Sequence, residues 1–129
     1  MLFDPNLQSP YAGLFVSLQE MFLRFDALHE TRTAKQITYK DTRDTAIVIM
    51  RIRPDGLHLV FARGAQLQAQ YPFLKGNGKI VRYVVLQTEE EMERLPLHAM
   101  VEESLILAIE HREKQKIRNA IRREQTASR

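Results

Sequence analysis

A glycine-rich loop with nearby cations is the first group of residues in this chain that could bind a ligand. The loop reads Gly-Asn-Gly-Lys at 76–79, so exposed amides and an ammonium lie together, which is what an anion needs. No helix follows it, so it matches neither a P-loop nor a dinucleotide fingerprint. A tight turn and structural ion pairs are the alternative interpretation. We predict a site for a small anionic ligand formed by Arg63, Gly64, Gly76, Gly78, Lys79 and Arg82.

The basic end of the chain is a second candidate. Residues 111–129 contain seven Lys/Arg against two acids, a net charge of +5, while the rest of the chain has a net charge of −2. Lys114, Arg118 and Arg122 recur every four residues, so they share one helix face that could follow a nucleic-acid backbone. A solvated helix end is the alternative, because no aromatic residue lies among these charges to stack on bases.

Carboxylates and histidines give weaker signals for a metal. Glu89, Glu90 and Glu93 offer hard oxygens that suit iron or calcium, although helix capping and a solvated face also explain them. His98 and Glu102 have the i, i+4 spacing of two ligands, for which a hydrogen bond along the helix is the preferred interpretation. His58 is interpreted as a surface histidine. We leave the metal unassigned and predict no cofactor.

Catalytic groups are not found in any recognised spacing. None of the four serines lies in a nucleophile elbow, and neither a zinc-protease motif nor a Walker lysine occurs. The chain has no cysteine, which excludes disulfides and thiolate chemistry and suits the cytoplasm. With 44% hydrophobic and 27% charged residues and no apolar run of membrane-spanning length, we expect a cytoplasmic protein that binds and does not catalyse.

Apolar spacing predicts the elements that position these residues. We expect a helix from near Pro10 to near His29, a short strand at 37–39, strands at 46–53 and 57–62, and a helical turn at 66–71. A strand at 79–87 has apolar residues on both faces and is predicted to be central. A capping box at Thr88 opens a short helix, and Pro96 begins the last one.

The turn at Pro54-Asp55-Gly56 predicts a hairpin and its register. With a two-residue Asp55-Gly56 loop, Ile52 faces Leu59 and Met50 faces Phe61. One face is then core, and the other, with Arg51, Arg53 and His58, is at least partly wet. The predicted core face consists of Ala46, Val48, Met50, Ile52, Leu57, Leu59 and Phe61.

The order helix, strands, helices predicts one α+β domain at 1–129. It is a two-layer sandwich, an antiparallel sheet with the N-terminal and C-terminal helices packed on one face, plus a basic helical extension at about 111–129. Ile117 and Ile121 lie beyond the part of the last helix needed to cover a small sheet, which suggests a homodimer through that helix.

Three stretches of the chain resemble the YdhG-like family, domain of unknown function 1801. These are VFARGAQL at 60–67, FLKGNGKIVRY at 73–83 and, more loosely, AKQITYK at 34–40. The resemblance implies a fold distantly similar to the frataxin-type sandwich, and it implies no reaction. It raises an alternative function, iron handling at the carboxylates of Glu89, Glu90 and Glu93.

Overall fold

The computed structural model describes residues 8–127, which form five strands and four helices. In chain order these are α1 (Ala12–Leu23), β1 (His29–Arg32), β2 (Ile37–Lys40), β3 (Ala46–Arg53), β4 (Gly56–Phe61), α2 (Gly64–Leu67), β5 (Arg82–Leu86), α3 (Glu89–Arg94) and α4 (Leu97–Ala127).

The five strands form one antiparallel sheet in the order β1-β2-β3-β4-β5, so each strand pairs with its predecessor in the chain. The helices cover one face of this sheet, which confirms the predicted α+β class. The other face, which we call the open face, contains a row of half-buried residues that crosses all five strands. This row consists of Thr31, Thr38, Ile49, Val60 and Tyr83.

The first helix is shorter than predicted. It ends at Leu23, and the polar residues that follow form β1, where Glu30 pairs with Tyr39 of β2. The Glu30 carboxylate accepts hydrogen bonds from Tyr39 Oη at 3.0 Å and from Gln19 Nε2 at 3.0 Å. Burial, together with the Glu30 charge, raises the pKa of Tyr39 well above its usual range. Pairing with the sheet therefore outweighs local helical periodicity at this point.

The hairpin has the predicted faces but not the predicted pairs. Its loop is Pro54-Asp55, so Ile52 pairs with Leu57 and Met50 pairs with Leu59, two residues away from the predicted partners. Because the observed register differs from the predicted one by an even number of residues, each side chain stays on its predicted face. Gly56 lies in the ladder at φ +146°, where a Cβ would approach the Leu86 carbonyl oxygen of β5 to 2.8 Å.

Ile47 was predicted to lie on the partly wet face, and that prediction is wrong. The β2–β3 register shifts by one residue between Tyr39 and Lys40, which is a β-bulge. Ile47 is the extra residue, and both Ile47 and Val48 are buried. A bulge breaks the two-residue alternation on which the prediction relied.

The last strand is an edge strand and not a central one. Its bounds are Arg82–Leu86, and Val84 and Leu86 point into the core. Tyr83 lies on the open face, and its amide and carbonyl exchange hydrogen bonds with Lys75 at 2.9 and 2.8 Å. The apolar residues that suggested burial on both sides instead form part of the open face. The Lys75 bridge satisfies backbone groups that an edge would leave unpaired.

Thr88 is confirmed as the residue that caps α3, because Thr88 Oγ1 accepts a hydrogen bond from the Glu91 amide at 3.2 Å. Helix α4 begins at Leu97, directly after Pro96, and has 31 residues, a length of about 46 Å. Its buried positions are Leu97, Met100, Val101, Ser104 and Ala108. Within residues 8–127, no helix combines the length and the apolar character of a membrane span.

Candidate anion-binding site

The predicted loop site has a packing explanation in the structure. Gly64 is buried at the start of α2, against the first residue of β5. A Cβ at Gly64 would lie 2.4 Å from Arg82 Cβ and 2.5 Å from the Arg82 amide nitrogen. Such distances are too short for any side chain, so this position requires glycine.

Arg82 holds the loop together through its guanidinium. Its Nε donates to Gln68 Oε1 at 2.9 Å, and its Nη1 donates to the carbonyls of Gly78 and Val81. Gly76 has a φ of +119°, as the tight-turn alternative required. Arg63 is half-buried, Lys79 is exposed, and neither lines the clefts described below. Anion binding at this loop stays a prediction.

A cleft at one end of the sheet brings together a different set of cations. It has a volume of about 680 Å³ and lies where the β1–β2 turn and the end of β3 meet the residues before α1. Its described lining contains three cations and no acid. The lining residues are Ser9, Ala34, Lys35, Gln36, Arg51, Ile52 and Arg53. We call this the sheet-end cleft.

The sheet-end cleft is held in shape by hydrogen bonds. Thr33 Oγ1 accepts from the amides of Lys35 at 3.3 Å and Gln36 at 3.2 Å, which fixes the turn. Gln36 Oε1 in turn accepts from Arg51 Nε at 2.8 Å, which orients that guanidinium. The Arg51 guanidinium and the backbone of the turn are therefore positioned before any ligand arrives, and this lowers the entropy cost of binding.

Positive charge is not confined to the sheet-end cleft. Residues 33–87, which contain four of the five strands and their connections, have nine Lys/Arg against three acids, a net charge of +6. On the open face the rings of His58 and Tyr83 stack with centroids 5.8 Å apart and planes at 9°. His58 Nε2 is 2.8 Å from Asp55 Oδ1, and that hydrogen bond lowers the pKa of Asp55. His58 is thus a paired histidine of the open face.

Of the candidate iron ligands on α3, Glu89 and Glu90 have structural partners, and Glu93 is exposed. Glu89 accepts a hydrogen bond from Ser17 Oγ of α1 at 2.5 Å, and Glu90 is 3.8 Å from Arg94. His98 Nδ1 and Glu102 Oε1 are 2.6 Å apart, the helix-face pair that was preferred for them. Among residues 8–127 no three His, Asp or Glu side chains gather as metal ligands would. Iron handling stays a prediction.

A second, smaller cleft of about 240 Å³ lies between α4 and the β2–β3 turn. Its lining comprises Arg43, Ile109, Arg112, Glu113 and Lys116. Lys114, Arg118 and Arg122, the predicted polyanion-binding residues, lie exposed on the helix beyond it.

Beneath the second cleft, Arg112 Nη1 donates to the buried Asp41 carboxylate at 2.6 Å and to Thr45 Oγ1 at 3.0 Å. One of the cations of this cleft is therefore already neutralised by the protein. The sheet-end cleft has no such internal counter-ion among its described lining residues, so it is the better place for an external anion.

No family model, curated protein or solved structure matches this chain. The fold and the site therefore define it only as a class, an α+β domain with helices on one side of the sheet and a basic open face on the other. The resemblance to the YdhG-like family stays a prediction.

Sequence reasoning did not find the sheet-end cleft. The alternation along β3 correctly placed Arg51 and Arg53 on the outer face. Lys35 and Gln36 were missed, because the β1–β2 turn that positions them was interpreted as the region following a longer helix. The net charge of residues 33–87 taken alone would have located the positive region. Adding these residues to the acidic helices in one sum cancelled that net charge.

Proposed function

We propose that this protein binds a small anion, of the phosphate or carboxylate class, in the sheet-end cleft, and that it does so without catalysis. The observation that best supports this proposal is the composition of the cleft lining. The described lining residues include three cations and one side-chain amide, and none of them is an acid. Guanidinium and ammonium groups form charge-assisted hydrogen bonds with such ligands, and arginine matches their geometry with two parallel bonds. Arg51 is already oriented by Gln36.

The chemistry of the lining supports binding. Its side chains supply donors and positive charge, while the Ser9 hydroxyl is used to accept a hydrogen bond from the Tyr11 amide at 3.1 Å. A cytoplasmic location and membership of the YdhG-like family are parts of the same proposal. The absence of cysteine and the three resembling stretches support these two parts.

A matched pair of lysine variants, Lys35→Gln in the cleft and Lys79→Gln in the glycine loop, tests the proposal and shows which of the two sites binds the anion. The probes are inorganic phosphate, pyrophosphate and citrate, measured by isothermal titration calorimetry and thermal shift. Lys35→Gln and Arg53→Gln should each weaken binding about tenfold, the equivalent of one charge-assisted contact. Lys79→Gln, which removes the same charge from the glycine loop, should leave the affinity unchanged. If Lys79→Gln weakened binding and Lys35→Gln did not, the ligand would be at the loop.

A second candidate function is binding of single-stranded nucleic acid across the open face. The His58–Tyr83 stack next to the basic cleft favours it, because single strands are held by ring stacking together with backbone cations. Tyr83→Leu should then weaken binding of a short single-stranded RNA while leaving pyrophosphate binding unchanged. Equal affinities of the wild type and Tyr83→Leu for the RNA would exclude this function.

A further inference from the structure

The outward face of α4 has a row of isoleucines that the rest of the chain does not cover. Ile106, Ile109, Ile117 and Ile121 have exposed fractions of 47%, 52%, 59% and 48%. At 3.6 residues per turn they fall within an arc of about 120°. The residues that α4 buries against the sheet, among them Met100 and Ser104, lie on the opposite side of the helix. A row of this kind on a helix favours contact with a second helix.

Spacing along the helix identifies the partner. The midpoint between Ile106 and Ile121 and the midpoint between Ile109 and Ile117 both fall next to Glu113. A two-fold axis at this point brings Ile106 against Ile121 of a second copy, and Ile109 against Ile117 of that copy. Such self-complementarity is the property of an isologous dimer, in which the same patch occupies both sides of the interface.

The distribution of charge along α4 determines whether two copies of the helix pair in parallel or antiparallel. Residues 102–113 have four glutamates against Arg112, whereas residues 114–124 have five Lys/Arg against Glu124. In an antiparallel pair the acidic half of one helix lies along the basic half of the other. A parallel pair would place like charges together, which is unfavourable. Apolar spacing and charge thus select the same arrangement independently.

We propose that the protein forms an antiparallel homodimer through the outward face of α4. The interface is centred on the four isoleucines, with the acidic half of each helix along the basic half of its partner. Glu113 lies in the same arc, beside the axis, and its carboxylate is paired with Lys116 of its own helix at 3.4 Å. The cations Lys114, Lys116 and Arg123 then line the rim of the dimer, and no residue of α4 lines the sheet-end cleft. This proposal is independent of the anion-binding function.

Analytical ultracentrifugation of the full chain tests the association. We expect a species of twice 15.1 kDa for the wild type. Ile117→Asp should raise the dissociation constant by about a hundredfold or more, because the change occurs twice in each dimer. The matched control is Ile80→Asp, since Ile80 is a similarly exposed isoleucine, at 55%, that does not belong to α4, and it should leave the dimer unchanged. Circular dichroism checks that each variant is folded.

Disulfide trapping tests the direction, and the chain has no cysteine of its own to interfere. One sample of protein has Ile106→Cys and another has Ile121→Cys, and the two are mixed and oxidised. The antiparallel dimer predicts a mixed disulfide between the two variants in preference to either self-disulfide, because a bridge needs Cα atoms about 4.4–6.8 Å apart. Preferential self-disulfides, a monomer at concentrations up to about 100 μM, or an equal effect of Ile80→Asp would each overturn the proposal.

Discussion

The ion pair between Asp41 and Arg112 connects the β2–β3 turn to α4, and replacing Asp41 with Asn should cost about 2 kcal/mol. Asp41 is 3% exposed, and its Oδ1 accepts from the amides of Arg43 and Thr45, both at 3.0 Å. Its Oδ2 accepts from Arg112 at 2.6 Å. Asparagine keeps the amide contacts through Oδ1 but places its NH2 donor where Arg112 needs an acceptor. The cost is therefore the lost charge-assisted bond and an Arg112 left without its counter-ion.

Asp41→Ala should cost more, about 3 to 4 kcal/mol, because all of these acceptors disappear. Urea denaturation at pH 7 measures each free energy of unfolding. Arg112→Met retains most of the aliphatic stem, so the double variant Asp41→Asn with Arg112→Met completes a mutant cycle. We expect a coupling energy of about 1.5 kcal/mol or more, reduced from the fully buried case because the Arg112 side chain is 28% exposed.

The pH dependence provides a sharper test. Burial by itself would raise the pKa of Asp41, but hydrogen bonds from Arg112 and from the Thr45 and Arg43 amides hold the pKa below its ordinary value of 3.8. A folded pKa below the unfolded one means that the stabilisation is complete above pH 3.8 and is lost as the pH falls through the folded pKa. The stability gap between the wild type and Asp41→Asn should therefore shrink in acid. A gap that stays constant from about pH 6 to pH 3 would refute the reasoning.

Two further predictions concern packing and use the same urea measurement. Gly64→Ala should destabilise by about 2 to 3 kcal/mol, since its Cβ would meet the backbone of Arg82. Gly13→Ala on α1 would bring its Cβ into ordinary contact with Glu89 Oε1 at 3.9 Å, and it should stabilise by about 0.5 to 1 kcal/mol. Similar effects at the two glycines would contradict the close approach. Phe61→Ala should cost about 3 to 5 kcal/mol because Phe61 is fully buried, and His58→Ala at most about 1 kcal/mol on the open face. Equal losses would contradict the assignment of the two faces.

Much of the fold could be predicted because the strands of the hairpin alternate and the helices have caps and stripes. The exact pairing of the two hairpin strands could not be predicted. Pairing Ile52 with Leu57 and pairing Ile52 with Leu59 both keep apolar residues on one face, and only the passage of β5 next to Gly56 selects the first pairing. The bulge at Ile47 and the end of α1 depend on contacts with β2 and β4. These contacts join segments that are apart in the sequence, so a local sequence pattern does not reveal them.

The candidate site was harder to predict than the fold. Glycine and arginine in the loop at 76–82 drew attention because their types suggest anion binding, yet Gly64 and Arg82 are explained by a close backbone approach. The sheet-end cleft combines a turn, a strand end and the start of a helix that are distant in sequence. Its cations are ordinary surface residues when each is considered alone, and only the topology places them together.

The order of elements along the chain has a consequence for synthesis. Each strand pairs with the one made just before it, so the sheet can form on the ribosome, hairpin by hairpin, in microseconds. Strand β3 also packs against α4, whose buried Met100 and Val101 are made about one to three seconds after β5. During that interval the paired sheet lacks the cover that α4 provides, and exposed apolar surface of this kind is prone to aggregation. We therefore expect closure of the core by α4 to be the last folding step, and the same step completes the isoleucine face that is proposed to contact a second copy.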